Sequence, residues 1–215
     1  MFFLYQILIL ILLILSPIII IYRILKKKED PKRFKEKFCI PSKKRKAGNL
    51  IWFHGSSVGE FLSIIPLIHE LEKNKHINQI LITSSTLSSA EIFKNYKFKK
   101  VIHQFFPIDF FLYSYKFLNY WQPTITIFIE SEIWPSIFGA LNKKKIPLII
   151  LNARITKKTF KKWMIVKNFS NSTFKNISKA YPQNNETFKY LKKLDVFKIK
   201  KIGNLKFINN EQNNF

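Results

Sequence analysis

The sequence predicts an α/β body, an open parallel sheet with helices on both faces, preceded by one transmembrane helix. Three observations predict it. No charged residue occurs before Arg23, and the first 25 residues are almost wholly apolar. Beyond residue 48, short apolar β-type runs alternate with helix-length stretches, the pattern of right-handed βαβ units. Several of those runs are continuously apolar rather than alternating, as expected of strands covered on both faces.

Taken in order, Phe2 to Tyr22 is interrupted only by Gln6, Ser16 and tyrosines. A run of about 20 apolar residues suffices to cross a hydrocarbon core of about 30 Å. It lacks the basic start and small-residue cleavage site of a secretory signal. Lys26, Lys27, Lys28, Lys32, Arg33, Lys35 and Lys37 follow it. The positive-inside rule places that flank on the cytoplasmic side, so residues 1–25 read as a single-pass anchor of the inner membrane. Pro17 is a candidate kink. Residues 26–48 read as a basic juxtamembrane linker suited to anionic headgroups, at about 1 kcal/mol per basic residue near the surface.

The body is expected over residues 49–207. Its candidate strands are Leu50–Phe53, Gln79–Ile82, Lys100–Phe105, Thr124–Ile129, Pro147–Leu151, Ile177–Tyr181 and Phe197–Ile202. Helical patterns lie near 60–73, 88–96, 110–119, 134–144, 156–170 and 185–193, and residues 208–215 form a polar tail.

Composition bounds the function classes. Apolar residues make up 47% of the 215, enough for a packed core. The net charge is +24, but the excess is nearly all Lys, beside 22 Phe, much Ile and Asn, and only 5 Gly. That joint bias fits A+T-rich coding drift, so charge alone selects no partner. Cys39 is the only cysteine, which excludes a disulfide framework. His69, His76 and His103 have no metal-ligand spacing, so no metal is expected. Dinucleotide and P-loop fingerprints are absent. A nucleic-acid binder needs exposed stacking aromatics on a basic face, whereas most aromatics here fall within the expected strands and helices.

In open α/β sheets, ligands bind beyond the carboxyl ends of the strands. The first strand runs into His54-Gly55-Ser56-Ser57-Val58-Gly59-Glu60 and the second into Thr83-Ser84-Ser85-Thr86. The third runs into Pro107-Ile108-Asp109, the fourth into Glu130-Ser131-Glu132-Ile133-Trp134-Pro135, and the fifth into Asn152-Ala153-Arg154. Four of only 13 acidic residues therefore fall on one rim. Drift would have favoured Lys there, and carboxylates in a crevice repel nucleic-acid phosphates. Spacing leaves Glu60 open between two roles, because Ser57-x-x-Glu60 is also a capping box. Ser88-x-x-Glu91 is a second such box and reads as a cap. Glu130 and Glu132 follow an apolar strand with one residue between them, and the expectation is that one faces the crevice while the other braces a loop. Trp134-Pro135 reads as a helix opening, and His54 as a structural residue at a strand end.

These rim motifs, in this order, resemble the amino-terminal half of the bacterial 3-deoxy-D-manno-octulosonic acid (Kdo) transferases. Ser89-Ala90-Glu91, Phe106-Pro107-Ile108-Asp109, Asn152-Ala153-Arg154-Ile155-Thr156, Gln183-Asn184 and Gly203-Asn204-Leu205-Lys206-Phe207 extend the match. The resemblance implies a glycosyltransferase of the GT-B type, with two Rossmann-like domains facing a cleft. It implies that this amino-terminal domain holds the lipid A precursor, lipid IV(A), while the other holds the donor substrate CMP-Kdo, with no cofactor. The family's general base falls on Glu60, which decides the open choice in favour of catalysis. Glu130 and Glu132 match its acidic pair, and Arg154 is expected to meet a phosphate or carboxylate. Ser57, Gly59, Thr83, Ser84, Thr86, Asp109 and Asn152 complete the expected acceptor cleft. Gly55 and Ser56 depart modestly from the family pattern. The match runs out after Phe207, so the donor-binding domain is expected to be missing. The chain is then truncated, one chain of a split enzyme with a separately encoded donor domain, or an inactive lipid-binding remnant.

Overall fold

The computed structural model describes residues 1–203; residues 204–207 of the last motif and the tail 208–215 lie outside them. Helix α1 (Phe2–Leu25) is followed by a 3₁₀ turn over Phe34–Phe38. Six strands then alternate with helices: β1 (Leu50–His54), β2 (Gln79–Ser84), β3 (Val101–Phe105), β4 (Ile125–Ile129), β5 (Leu148–Ala153) and β6 (Lys179–Pro182). The helices of the body are α2 (Val58–Lys73), α3 (Leu87–Ile92), α4 (Phe111–Trp121), α5 (Pro135–Lys143), α6 (Lys157–Ile165), α7 (Lys167–Phe174) and α8 (Asn185–Lys193).

All five strand pairings are parallel and the order is β3-β2-β1-β4-β5-β6. This is the Rossmann order, in which the chain reverses direction across the sheet between β1 and β4. Consecutive strand residues enter opposite cores, as the two-residue period requires. Trp52, Leu81, Phe128 and Ile150 pack with Phe117, Phe138 and Leu191 on one face, while Phe53, Ile82, Ile129 and Leu151 pack with Phe61, Ile64 and Phe93 on the other. Two-sided burial is why the strands read as unbroken apolar runs.

Three expected elements differ. The run Phe197–Ile202 makes only a bridge, Ile199 beside Ala180, because Phe197 is 83% exposed and finds no cover among the described residues. The helix expected over 156–170 breaks at Val166 (φ −113°, ψ 46°), and the Ser170 hydroxyl reaches the carbonyls of Trp163 and Lys167 at the joint, both at 2.9 Å. The bend lets Trp163 meet Phe169 and Phe174. Finally, α3 starts one residue before Ser88: its cap is Thr86, whose hydroxyl accepts from Ser89 N at 3.3 Å. Ser88 is thus inside the helix and is not a cap.

Helix α1 is long and apolar enough to cross a membrane. Pro17 sits within it without ending it. The proline lacks an N–H for the Leu13 carbonyl four residues back, and the Ser16 hydroxyl donates to that carbonyl at 2.6 Å instead. The basic stretch that follows packs on the sheet edge. Glu36, 1% exposed, accepts from Phe105 N on β3 at 2.6 Å, from Arg33 through both oxygens at 2.8 and 3.0 Å, and from Ser42.

Candidate active site at the sheet crossover

The loops after β1 and β4 flank the reversal point, where a crevice opens in sheets of this order. Gly55 and Ser56 turn the chain out of β1, and Ser57 caps α2 by accepting from Glu60 N at 3.2 Å. The capping box is present in a modified form. The Glu60 carboxylate accepts from Ser56 N at 2.8 Å, one residue before the cap, and from the Ser57 hydroxyl at 2.9 Å. Glu60 is 8% exposed. Burial raises its carboxyl above the usual range; the bonds from Ser56 and Ser57 oppose that rise, and the nearby charges of Glu132 and Glu130 add to it. A buried carboxylate with raised proton affinity is what a general base requires.

Glu132 is held by a chain of side chains from beneath the sheet rim. Trp52 Nε1 donates to Thr83 Oγ1 at 2.8 Å, and Thr83 Oγ1 lies 3.0 Å from His54 Nδ1. His54 Nε2 lies 3.1 Å from Glu132, so the carboxylate facing it places the ring proton on Nε2. Trp134 Nε1 donates to the same carboxylate oxygen at 2.9 Å. Burial alone pushes Glu132 up, but the bond from His54, with the neighbouring Ser56 and the bond from Trp134, holds it below the usual range. Ser56 therefore stands between the two acids, its amide bonded to Glu60 and its side chain close enough to Glu132 to favour the ionised carboxylate.

Glu130 turns the other way. It has φ 56° and faces Asn152 (φ 54°), whose side-chain amide donates to it at 3.4 Å. Two non-glycine residues in the left-handed region thus meet at the ends of β4 and β5, a strain of the kind found at functional sites. Arg154 is exposed beyond them, with its backbone amide on the Glu130 carbonyl at 3.4 Å.

The structure brings Glu60, Ser57, Gly59, Glu130, Glu132, Asn152 and Arg154 to one rim, at the carboxyl ends of the adjacent strands β1, β4 and β5. Thr86 borders it, with its hydroxyl on the Ser56 carbonyl at 3.4 Å. Thr83 and Ser84 are fully buried beneath it, Thr83 under His54 and Ser84 on His103 at 2.8 Å. Asp109 is also buried, and it lies away from the three glutamates, under helix α1. It accepts from Ser136 N and Ile137 N at the start of α5, both at 2.9 Å, and from the Tyr5 hydroxyl of α1 at 2.6 Å. Burial pushes its carboxyl up to about 6 against those three bonds. Sequence reasoning did not foresee the roles of Ser56 and Trp134. The one acts through its backbone, and the other had a sufficient reading as a helix start. Among the described residues no His, Cys, Asp and Glu cluster could hold a metal ion.

Beside the acids, a cavity of about 330 Å³ opens between α1 and the rim. The helix lines it with Ile9, Leu12 and Ile19, and the rim supplies Phe106, Ile108 and Trp134. Trp134 is thus shared between an apolar cavity and the Glu132 carboxylate.

The family model described as 3-deoxy-D-manno-octulosonic-acid transferase (kdotransferase) matches residues 32–209. The 3-deoxy-D-manno-octulosonic acid transferase of Rickettsia bellii is 37% identical over 194 residues, covering 89% of this chain and 46% of that protein. A probable mitochondrial 3-deoxy-D-manno-octulosonic acid transferase of Arabidopsis thaliana is 41% identical over 151 residues, 69% of this chain and 34% of that one. The chain thus spans less than half the length of these relatives. Among solved structures, the UDP-GlcNAc 2-epimerase of Neisseria meningitidis superposes with a TM-score of 0.55 at 12% identity, over 77% of this chain and 51% of that one. At that identity it supports the fold alone.

Proposed function

The chain belongs to the 3-deoxy-D-manno-octulosonic-acid transferase family, and from that premise we propose that it is the acceptor-side half of an inverting glycosyltransferase. The donor is CMP-Kdo and the acceptor is the lipid A precursor, lipid IV(A), at the cytoplasmic face of the bacterial inner membrane. Helix α1 attaches the chain there, and the lysines of residues 26–48 meet anionic headgroups. The donor is held by a second domain across the crevice.

The observation that carries this reading is the environment of Glu60. Its carboxylate is fixed by Ser56 N and the Ser57 hydroxyl, and its proton affinity is raised by burial. Glu60 accepts the proton of a glucosamine hydroxyl while that oxygen attacks the anomeric carbon of Kdo. CMP departs from the opposite side, so the configuration inverts. Glu132, kept ionised by His54 and Trp134, strengthens the base by its charge. Arg154 offers a guanidinium to an anionic group at the crevice mouth. The apolar cavity against Trp134 suits an acyl chain of the acceptor.

The test joins this chain to a donor-binding domain from a complete family member and measures transfer from CMP-Kdo to lipid IV(A). Glu60→Gln is expected to lower turnover about 10²–10⁴-fold, the usual contribution of a general base. Gln still accepts from Ser56 N, so folding is retained. Near-normal turnover in Glu60→Gln defeats the base assignment, and an inactive wild-type fusion favours a lipid-binding remnant.

A further inference from the structure

Helix α1 does not stand away from the body. At its amino end, Tyr5 donates to Asp109 at 2.6 Å, Gln6 Nε2 donates to Ser136 at 2.8 Å, and Gln6 Oε1 accepts from Phe111 N at 3.0 Å. The rings of Phe2 and Tyr5 lie against Phe169, at 6.4 and 5.7 Å. At its carboxyl end, Ile20 is 7% exposed and Arg23 reaches the buried Glu29 at 3.0 Å. Tyr5 and Arg23 stand about 27 Å apart along the helix axis, at about 1.5 Å per residue.

The polar positions of the helix follow one face. From Tyr5 to Ser16 is about three turns and from Tyr5 to Arg23 about five, so the three project in nearly the same direction. That face is turned to the body. The opposite face carries Phe3, Ile14, Ile18, Ile21 and Leu25, between 59% and 77% exposed and all apolar. Helix α6, which leads into the Phe169 helix, carries Lys157, Lys158, Lys161 and Lys162 with Ile165, which is 82% exposed.

A helix that crosses a bilayer can touch a body on one side of the membrane only near one end. Docked at both ends, a crossing α1 would draw the sheet rim and its carboxylates into hydrocarbon, at a cost of several kcal/mol for each charge. We infer that α1 lies in the plane of the bilayer interface, its apolar face in the acyl boundary and its polar face on the body. Both ends of the helix then stand on the same side of the membrane. The covering partner is the anionic lipid surface itself, met by the apolar face of α1 and by Lys26–Lys28 at its carboxyl end. This attachment does not depend on the reaction proposed above. It aims the Glu60 crevice, which shares its rim with α1, at the headgroup layer.

Nitroxide depth profiling of the full chain in anionic vesicles tests it. Ile7, Ile14 and Ile21 recur at a heptad interval on the outward face, so each is replaced in turn by Cys and labelled; Cys39 is buried and stays unlabelled. An in-plane helix gives three similar, shallow depths, about 5–10 Å below the headgroups. A crossing helix gives a maximum at position 14 with shallow values at 7 and 21, and that profile overturns the inference. Water-exposed labels at all three positions, or labels shielded by a second copy or another protein, overturn it as well.

Discussion

Gly55 and Glu60 constrain each other. A Cβ built at Gly55 would stand 3.0 Å from a Glu60 carboxylate oxygen, 3.2 Å from Phe61 and 3.3 Å from Ile129. The turn out of β1 passes under the carboxylate, so glycine is needed there for closeness rather than for an unusual φ. Gly59 is the opposite case: a Cβ there meets nothing within 4 Å, and the residue is exposed beside Glu60. The two substitutions therefore separate fold from substrate. Gly55→Ala is expected to destabilise the domain by about 1–3 kcal/mol, as overpacking does, in a denaturant melt, and to displace the base. Gly59→Ala is expected to leave stability within about 1 kcal/mol, while transfer by the completed enzyme falls because the methyl occupies the acceptor's approach. Unchanged transfer in Gly59→Ala would show that the acceptor does not pass over that turn.

At the scale of elements, the sheet was legible because burial on both faces forces continuous apolar runs, and the rim followed from parallel topology. Glu60, Glu130 and Glu132 were legible as carboxylates that a Lys-enriching drift had spared. What was not legible depends on contacts distant in sequence. Nothing near Phe197 announces that no described helix covers it, and nothing near Val166 announces that Trp163 and Phe174 must share a core. Tyr5 and Gln6 read as interruptions of an apolar run until Asp109 and Ser136 stand opposite them. The stretch 26–48 is another such case. Its lysines dominate the sequence, yet its structure depends on Glu36. This carboxylate closes the edge of β3 by accepting from Phe105 N, and binds Arg33, which in turn donates to the His103 carbonyl at 2.9 Å. Edge strands need such cover. Glu36→Ala removes the carboxylate paired with Arg33 and leaves a buried amide without its acceptor, and is expected to cost about 3–5 kcal/mol in a denaturant melt, the usual effect of breaking a buried pair. A loss below about 1 kcal/mol would mean that the stretch is a surface linker on which the sheet does not depend.

Across the whole molecule, a net charge of +24 surrounds a crevice that gathers three carboxylates. Two influences on Glu60 oppose each other. Burial and the adjacent Glu132 and Glu130 raise its proton affinity, and they act over short, partly buried paths that salt screens little. The surface lysines act over longer distances and lower it, because a positive field favours the ionised carboxylate. That second influence is sensitive to salt, since the screening length falls from about 30 Å at 0.01 M to about 3 Å at 1 M. A base works only when ionised, so transfer falls as pH drops through the Glu60 pKa. Screening the lysines removes a contribution that held this pKa down. The acid limb of the pH–rate profile is therefore expected to move to higher pH as salt rises, in the enzyme completed with a donor-binding domain and under saturating substrates. The same measurement on Glu60→Gln should show no such limb. A limb that stays fixed between low and high salt would mean that the lysines lie too far from the crevice to act on it.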